Sequence, residues 1–188
     1  MRWRPSARAR RWLAAVGGFV GLALLGGGLL APTPALLVEG VAGGRVLARL
    51  PIVDAPVTLR YRHSLYDAPA EEEFEIVGGA LALRRLRSPR LAVLDYYARP
   101  EPIRASGDQY QIDIDIDDPS ERRSEVRLLV SPIGQRTLAH GGRTVALHEL
   151  PTTDTDGRVR VRIGSMPAIA RWWEDLAIGD RVASLSRR

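Results

Sequence analysis

From Pro34 onwards apolar and polar residues alternate at every second position, and this period constrains the fold more than any other feature of the chain. The cleanest case is QYQIDIDID, Gln109 to Asp117, which sends Tyr110, Ile112, Ile114 and Ile116 one way and the acids the other. Such a run is a half-buried strand, because a helix would scatter those isoleucines around its circumference. VTLRYRHSL, EEEFEIV, ALALRRL, LAVLDYYA, EVRLLV and RVRVRIG add further extended stretches, separated by turn signals. In RTLAHGGRTVALHEL two glycines stand between two such runs, where a tight hairpin needs positive φ angles. Only SMPAIARWWEDLAIG carries a helical period after the N-terminal segment, with Ser165 placed to cap it, Pro167 in its first turn and Ile169, Trp172, Trp173 and Leu176 on one stripe. The expected fold is therefore mainly β: an antiparallel sandwich or barrel with an N-terminal transmembrane helix and one short C-terminal helix.

The transmembrane helix is expected from Trp12 to Ala31, twenty residues without a charge. At ~1.5 Å per residue they span roughly 30 Å, the hydrocarbon thickness of a bilayer. Arg2, Arg4, Arg8, Arg10 and Arg11 precede it and no acid does. That asymmetry puts the N-terminus in the cytoplasm and the β domain outside it. Residues 1–35 are then a cytoplasmic tail with an anchor or signal peptide, and 36–188 the extracytoplasmic domain. A small-residue TPA at Thr33 to Ala35 offers a cleavage site, which would make the domain secreted. The run is longer than a usual signal-peptide core, which favours retention. The net charge of +5 equals the five leading arginines, so the β domain is neutral and nucleic acid is not an expected partner. With no cysteine the chain has neither a disulfide framework nor a thiolate site.

RYRHSLYDAPAEEEFEI, residues 60–76, is where chemistry could sit. Folded as a hairpin with a loop from Tyr66 to Pro69, it pairs Tyr61 with Phe74, Leu59 with Ile76 and His63 with Glu72. A one-residue slip would bury Arg or Glu, so face matching supports this register. An imidazole beside a carboxylate either pins the hairpin or sits at a pocket mouth. Ser64 falls on the opposite face from His63 if the strand continues, which argues against a serine nucleophile, and there is no nucleophile elbow. A metal site would need His63 and Glu72 with His140 or His148. The two later histidines fall on opposite faces of their hairpin, so no metal and no cofactor is expected. DIDIDIDD lacks the glycine and closing Glu of a calcium loop. Its acids are better matched by Arg158, Arg160 and Arg162 as an opposite-charge ladder between neighbouring strands.

The same stretch resembles domain-of-unknown-function family 1850, whose pattern places Ser after His, then Pro, Glu and an aromatic residue six, nine and eleven positions beyond the His. His63, Ser64, Pro69, Glu72 and Phe74 occupy those places. TLAHGGRTVALHEL resembles the family's later H-x-x-G region, whereas Tyr66 and RLAVLDYYARPEP depart from its pattern. The resemblance implies an extracytoplasmic β domain associated with TAXI-type TRAP transporters, tripartite carriers of organic acids. The expected function is a membrane-tethered accessory or binding module with a transporter permease or solute-binding protein as partner. His63, Ser64, Glu72 and Phe74 are its candidate ligand- or partner-binding residues. The alternative is an extracytoplasmic, metal-assisted enzyme using His63 and Glu72.

Overall fold

The computed structural model of the chain describes residues 31–151 and 157–170. The expected membrane segment, apart from Ala31, and Trp172, Trp173 and Leu176 lie outside the described residues. Among the described residues no helix is long and apolar enough to cross a membrane. The chain divides into two compact units, Pro34–Ser165 and a unit made of both termini. Within the terminal unit, the Thr33 hydroxyl donates to the Met166 carbonyl at 3.1 Å and the Ala168 amide to that of Ala31 at 3.0 Å.

Unit 34–165 is mainly β, as the alternation requires, and is built of antiparallel sheets. One sheet has the order β2-β1-β12-β9: β1 is Pro32–Gly40, β2 Val46–Pro51, β9 Glu125–Leu129 and β12 Arg158–Pro167. The larger sheet runs β11-β10-β3-β4-β5-β7-β6. Its members are β3 Val57–His63, β4 Ala68–Val77, β5 Ala80–Ser88, β6 Arg104–Ser106, β7 Gln109–Asp113, β10 Thr137–His140 and β11 Arg143–Ala146. The two-residue β8, Arg122–Arg123, pairs with β5. Leu36, Val38, Val126, Leu128, Val159 and Val161 from the smaller sheet form one apolar cluster with Val57, Leu59, Phe74, Leu81, Leu86, Ile112 and Leu138 from the larger. Burying those faces together is the main source of stability in a cysteine-free domain.

The glycine hairpin forms as expected: His140 pairs with Arg143, and Gly141 and Gly142 take φ of +57° and +77°. A Cβ on Gly141 would lie 2.6 Å from Val53, so that position requires glycine on two counts. His140 is buried beside it, its Nε2 accepting from the Val53 amide and its Nδ1 facing the Pro56 carbonyl, both at 3.2 Å. Because the first partner can only donate and the second only accept, the ring is neutral and protonated at Nδ1.

Three expectations are corrected. LAVLDYYA is not a strand: Leu91–Asp95 forms a short helix, α1, burying Val93 and Leu94, and Ala98 leaves it at φ +48°. The C-terminal helix does not begin at a Ser165 cap, because Ser165 and Pro167 extend β12 and helical conformation starts only at Ala168. The acidic and basic runs are not neighbours either. β7 lies in the larger sheet, where Asp113 meets Arg85 at 2.7 Å, while Arg160 and Arg162 in the smaller sheet grip the buried Glu39 of β1. Asp115 to Asp118 turn the chain instead, their carboxylates accepting from the amides of Asp117 and Ser120.

Candidate functional site

β3 and β4 form the expected hairpin, in a register shifted by four residues. His63 faces Ala68, Tyr61 faces Ala70, Leu59 faces Glu72 and Val57 faces Phe74. The loop is Ser64 to Asp67, closed by Asp67 at φ +48° and by the ion pair of Arg62 with Asp67. A shift by an even number of residues leaves every side chain on its own face, so face matching is blind to it. The opposed His63–Glu72 pair is therefore absent, yet both residues still point to the inner side of the sheet.

Glu71, Glu72 and Glu73 divide by parity. Glu71 and Glu73 turn to the outer face, where Arg60 meets Glu71 at 2.7 Å and Arg87 meets Glu71 and Glu73 at 2.7 and 2.6 Å. A groove of about 390 Å³ on that side is lined by Arg60, Glu71 and Arg87, which already satisfy one another. Glu72 alone turns inward, between Leu59 and Leu86 on the neighbouring strands.

Glu72 lies in the wall of a cleft of about 640 Å³. The β3–β4 loop supplies Ser64 and Leu65, the segment after α1 supplies Tyr96 and Tyr97, and the end of β9 with its following loop supplies Leu129, Ile133 and Arg136. Tyr61 and Tyr97 donate to Glu72 Oε1 at 3.0 and 2.8 Å, and their hydroxyls contact each other. Small side chains make room for these rings: Ala68 and Ala70 form a second apolar cluster with Val93 of α1, against which Tyr61, Tyr66 and Tyr97 pack. Burial pushes the Glu72 carboxyl above the usual carboxylate range, against the pull of Arg136 and Arg123. The Tyr97 hydroxyl is likewise pushed up to about 12 by burial, against the pull of Arg136.

A raised carboxyl pKa has a definite sign in the pH dependence of folding. The native state binds more protons than the unfolded state above about pH 4.5, so the contribution of Glu72 is fully present below that pH and is lost as pH rises through its folded value. Glu72→Gln is expected to remove this slope, so that wild type loses stability relative to the variant between acidic and neutral pH. Urea denaturation of the detergent-solubilised chain at several pH values measures it. An advantage of wild type that grows with pH would contradict a buried, proton-holding Glu72.

His63 lies tilted against Tyr66 at 5.2 Å and edge-on to Tyr96 at 4.9 Å, and its buried Nδ1 has no hydrogen-bond partner among the described residues. Ser64 is not a strand residue. As the exposed first residue of the loop it lines the same cleft as His63, so the opposite-face argument against it does not apply. Phe74 is corrected from site to core, 2% exposed. His148 sits in a 3-10 turn, Leu147–Glu149, its Nδ1 3.1 Å from the Arg136 carbonyl, while both nitrogens of His140 are taken by backbone. Neither joins His63 and Glu72, and the described residues hold no group of three or more His, Asp or Glu arranged to grip a metal.

Sequence reasoning missed Tyr96, Tyr97, Leu129, Ile133 and Arg136. The available signal was apolar residues inside turn segments, Leu65 in SLYD and Ile133 in SPIG, where burial cannot explain them. No family model, no curated protein and no solved structure matches the chain.

Proposed function

We propose that the chain is a membrane-tethered extracytoplasmic binding module, an accessory to a TRAP-type organic-solute transporter, and that it meets its ligand or partner at this cleft. In this reading the two sheets are the layers of a β-sandwich, and the N-terminal segment is a single transmembrane helix with its N-terminus in the cytoplasm. The likeness of the His63–Ser64–Glu72 block to family 1850 supports the transporter association. The observation that carries the binding role is the rim of the cleft. Leu65, Tyr96, Leu129 and Ile133 are 67, 62, 60 and 75% exposed and gather around one opening. Apolar side chains held in water at one spot mark a surface used for recognition.

Retention of the anchor is favoured over cleavage after Ala35, because Ala35 is fully buried within β1 and paired with Pro51. The metal-assisted enzyme gains no third ligand for His63 and Glu72 among the described residues. A photo-crosslinking residue placed at Leu65 or Ile133 tests the proposal in intact membranes, with one at Asp108 as control. The rim positions are expected to trap a permease or a solute-binding protein identified by mass spectrometry, and Asp108 to trap neither. If rim and control positions give the same adducts, or none, the accessory role is lost.

A further inference from the structure

We propose that the cleft binds an organic carboxylate with a short branched or aromatic hydrocarbon part, its carboxylate on Arg136. This rests on the cleft being the binding surface and adds the chemical class of what it holds. Around the hairpin the arginines are matched by acids: Arg60 by Glu71, Arg62 by Asp67, Arg84 by Glu75, Arg85 by Asp113 and Arg87 by Glu73. Arg136 is not among them. Its guanidinium lies 5.0 Å from the centroid of the Tyr61 ring and forms no ion pair with the described residues.

Its position is nevertheless held firmly. The Arg136 carbonyl accepts from the Leu147 amide at 2.9 Å and faces His148 Nδ1 at 3.1 Å. The loop before it is tied to β3 by the Arg62 amide donating to the Gly134 carbonyl at 2.8 Å. A guanidinium stacked on an aromatic face keeps its N–H edges free, and those edges match a carboxylate. The acid that could have filled this role, Glu72, is bound to two tyrosine hydroxyls instead. The lining holds two arginines, Arg62, which is paired with Asp67, and Arg136, which has no ion pair among the described residues. The unpartnered Nδ1 of His63 adds a polar atom in the same wall.

The rest of the lining selects the other end of the ligand. Leu65, Tyr96, Leu129 and Ile133 offer apolar surface that only a hydrocarbon part would cover. An organic cation is disfavoured, because Arg136 already occupies the Tyr61 face where a cation would stack and repels a second positive charge.

Four of the five tyrosines, Tyr61, Tyr66, Tyr96 and Tyr97, line or flank the cleft, and Tyr110 sits on β7 as an internal reference. The full chain, labelled with carbon-13 in its tyrosine rings and held in detergent micelles, is titrated by NMR with 3-methylbutanoate, 3-methylbutanamide and 3-methylbutylamine. The carboxylate is expected to shift the Tyr61, Tyr96 and Tyr97 signals with a Kd on the order of 1 mM and to leave Tyr110 in place. The amide and the amine are expected to bind at least about tenfold more weakly, and Arg136→Gln to lose about tenfold for the carboxylate alone. Equal shifts from all three probes, no shift from any, or wild-type affinity in Arg136→Gln would each overturn the proposal. The comparison of probes on wild type decides the matter even if the variant folds poorly. Trapping of a permease at the rim without carboxylate binding would leave the accessory role standing and remove only the ligand class.

Discussion

Replacing Arg160 and Arg162 together by methionine is expected to lower stability at pH 7 by about 4 kcal/mol, whereas Glu39→Met costs clearly less. The asymmetry comes from where the charges sit. Glu39 is 2% exposed on β1, with Arg162 donating through Nε at 3.0 Å and Nη2 at 2.5 Å, and Arg160 through Nε at 2.9 Å. The side chains of Arg160 and Arg162 are 29 and 37% exposed, so when Glu39 is removed they can turn to water. A buried carboxylate stripped of both partners has no such escape.

Hydrogen bonds from Arg162, opposed by burial and joined by those from Arg160, hold the Glu39 carboxyl below its ordinary value of 4.5. A depressed carboxyl pKa stabilises the fold above the unfolded value and ceases to do so as pH falls through the folded one. The deficit of the double variant is therefore expected to shrink as the solution is acidified below about pH 4.5, because a protonated Glu39 no longer needs two guanidinium groups. Denaturant titrations of wild type, the double variant and Glu39→Met across that range measure both effects. A double variant no worse than Glu39→Met at pH 7 would show that the triad is not anchored by its buried acid.

Glu39 and Glu72 thus pull the pH dependence in opposite directions, for the same reason applied to different surroundings. Two arginines meet one carboxyl; two tyrosines and an apolar wall meet the other. Neither outcome is written in the immediate neighbours of these residues, since LLVEG and EEEFE set expectations only about which face they take. This is how far the sequence is legible here. Period two identifies eight of the twelve described strands, missing β1, β2, β6 and β8, and assigns Leu59, Tyr61, His63 and Glu72 to the inner face, because a side chain's face depends on local parity alone. The glycine pair at 141–142 identifies a turn, because only a few backbone conformations reverse a chain in two residues.

What local rules miss depends on distance. The four-residue shift of the β3–β4 register is set by where the loop closes, and Asp67 accepts the left-handed conformation that lets it close early. α1 resembles a strand in sequence because Val93 and Leu94 are a short apolar run, which a five-residue helix and a strand share. The cleft itself is assembled from three loops that are 30 to 70 residues apart in sequence, roughly the case in which pattern offers no purchase. Three of the four candidates in the motif at 60–76, His63, Ser64 and Glu72, line the cleft. The guanidinium that gives the cleft its charge comes from SPIGQR, which carries no motif at all.

Phe74 is the motif residue that the structure moves furthest, and substituting it separates folding from recognition. Its ring is buried in the cluster shared by the two sheets, opposite Val57 on β3 and Leu83 on β5, at the point where an extra residue bulges β5. Val57, Leu59, Phe74 and Leu81 surround a void of only about 10 Å³ with Val126, Leu128 and Val161 of the other sheet, so the space a smaller side chain leaves has little slack to collapse into. Phe74→Ala is accordingly expected to cost about 3–5 kcal/mol, while Phe74→Leu, which keeps most of the volume, costs about 1 kcal/mol. Because the ring does not line the cleft, Phe74→Leu should leave the response of Tyr61, Tyr96 and Tyr97 to 3-methylbutanoate unchanged. Denaturation and the tyrosine titration on the same preparation test both halves at once. A Phe74→Leu chain as stable as wild type but blind to the carboxylate would put Phe74 back in the site, and the division drawn between the core and the cleft would have to be redrawn.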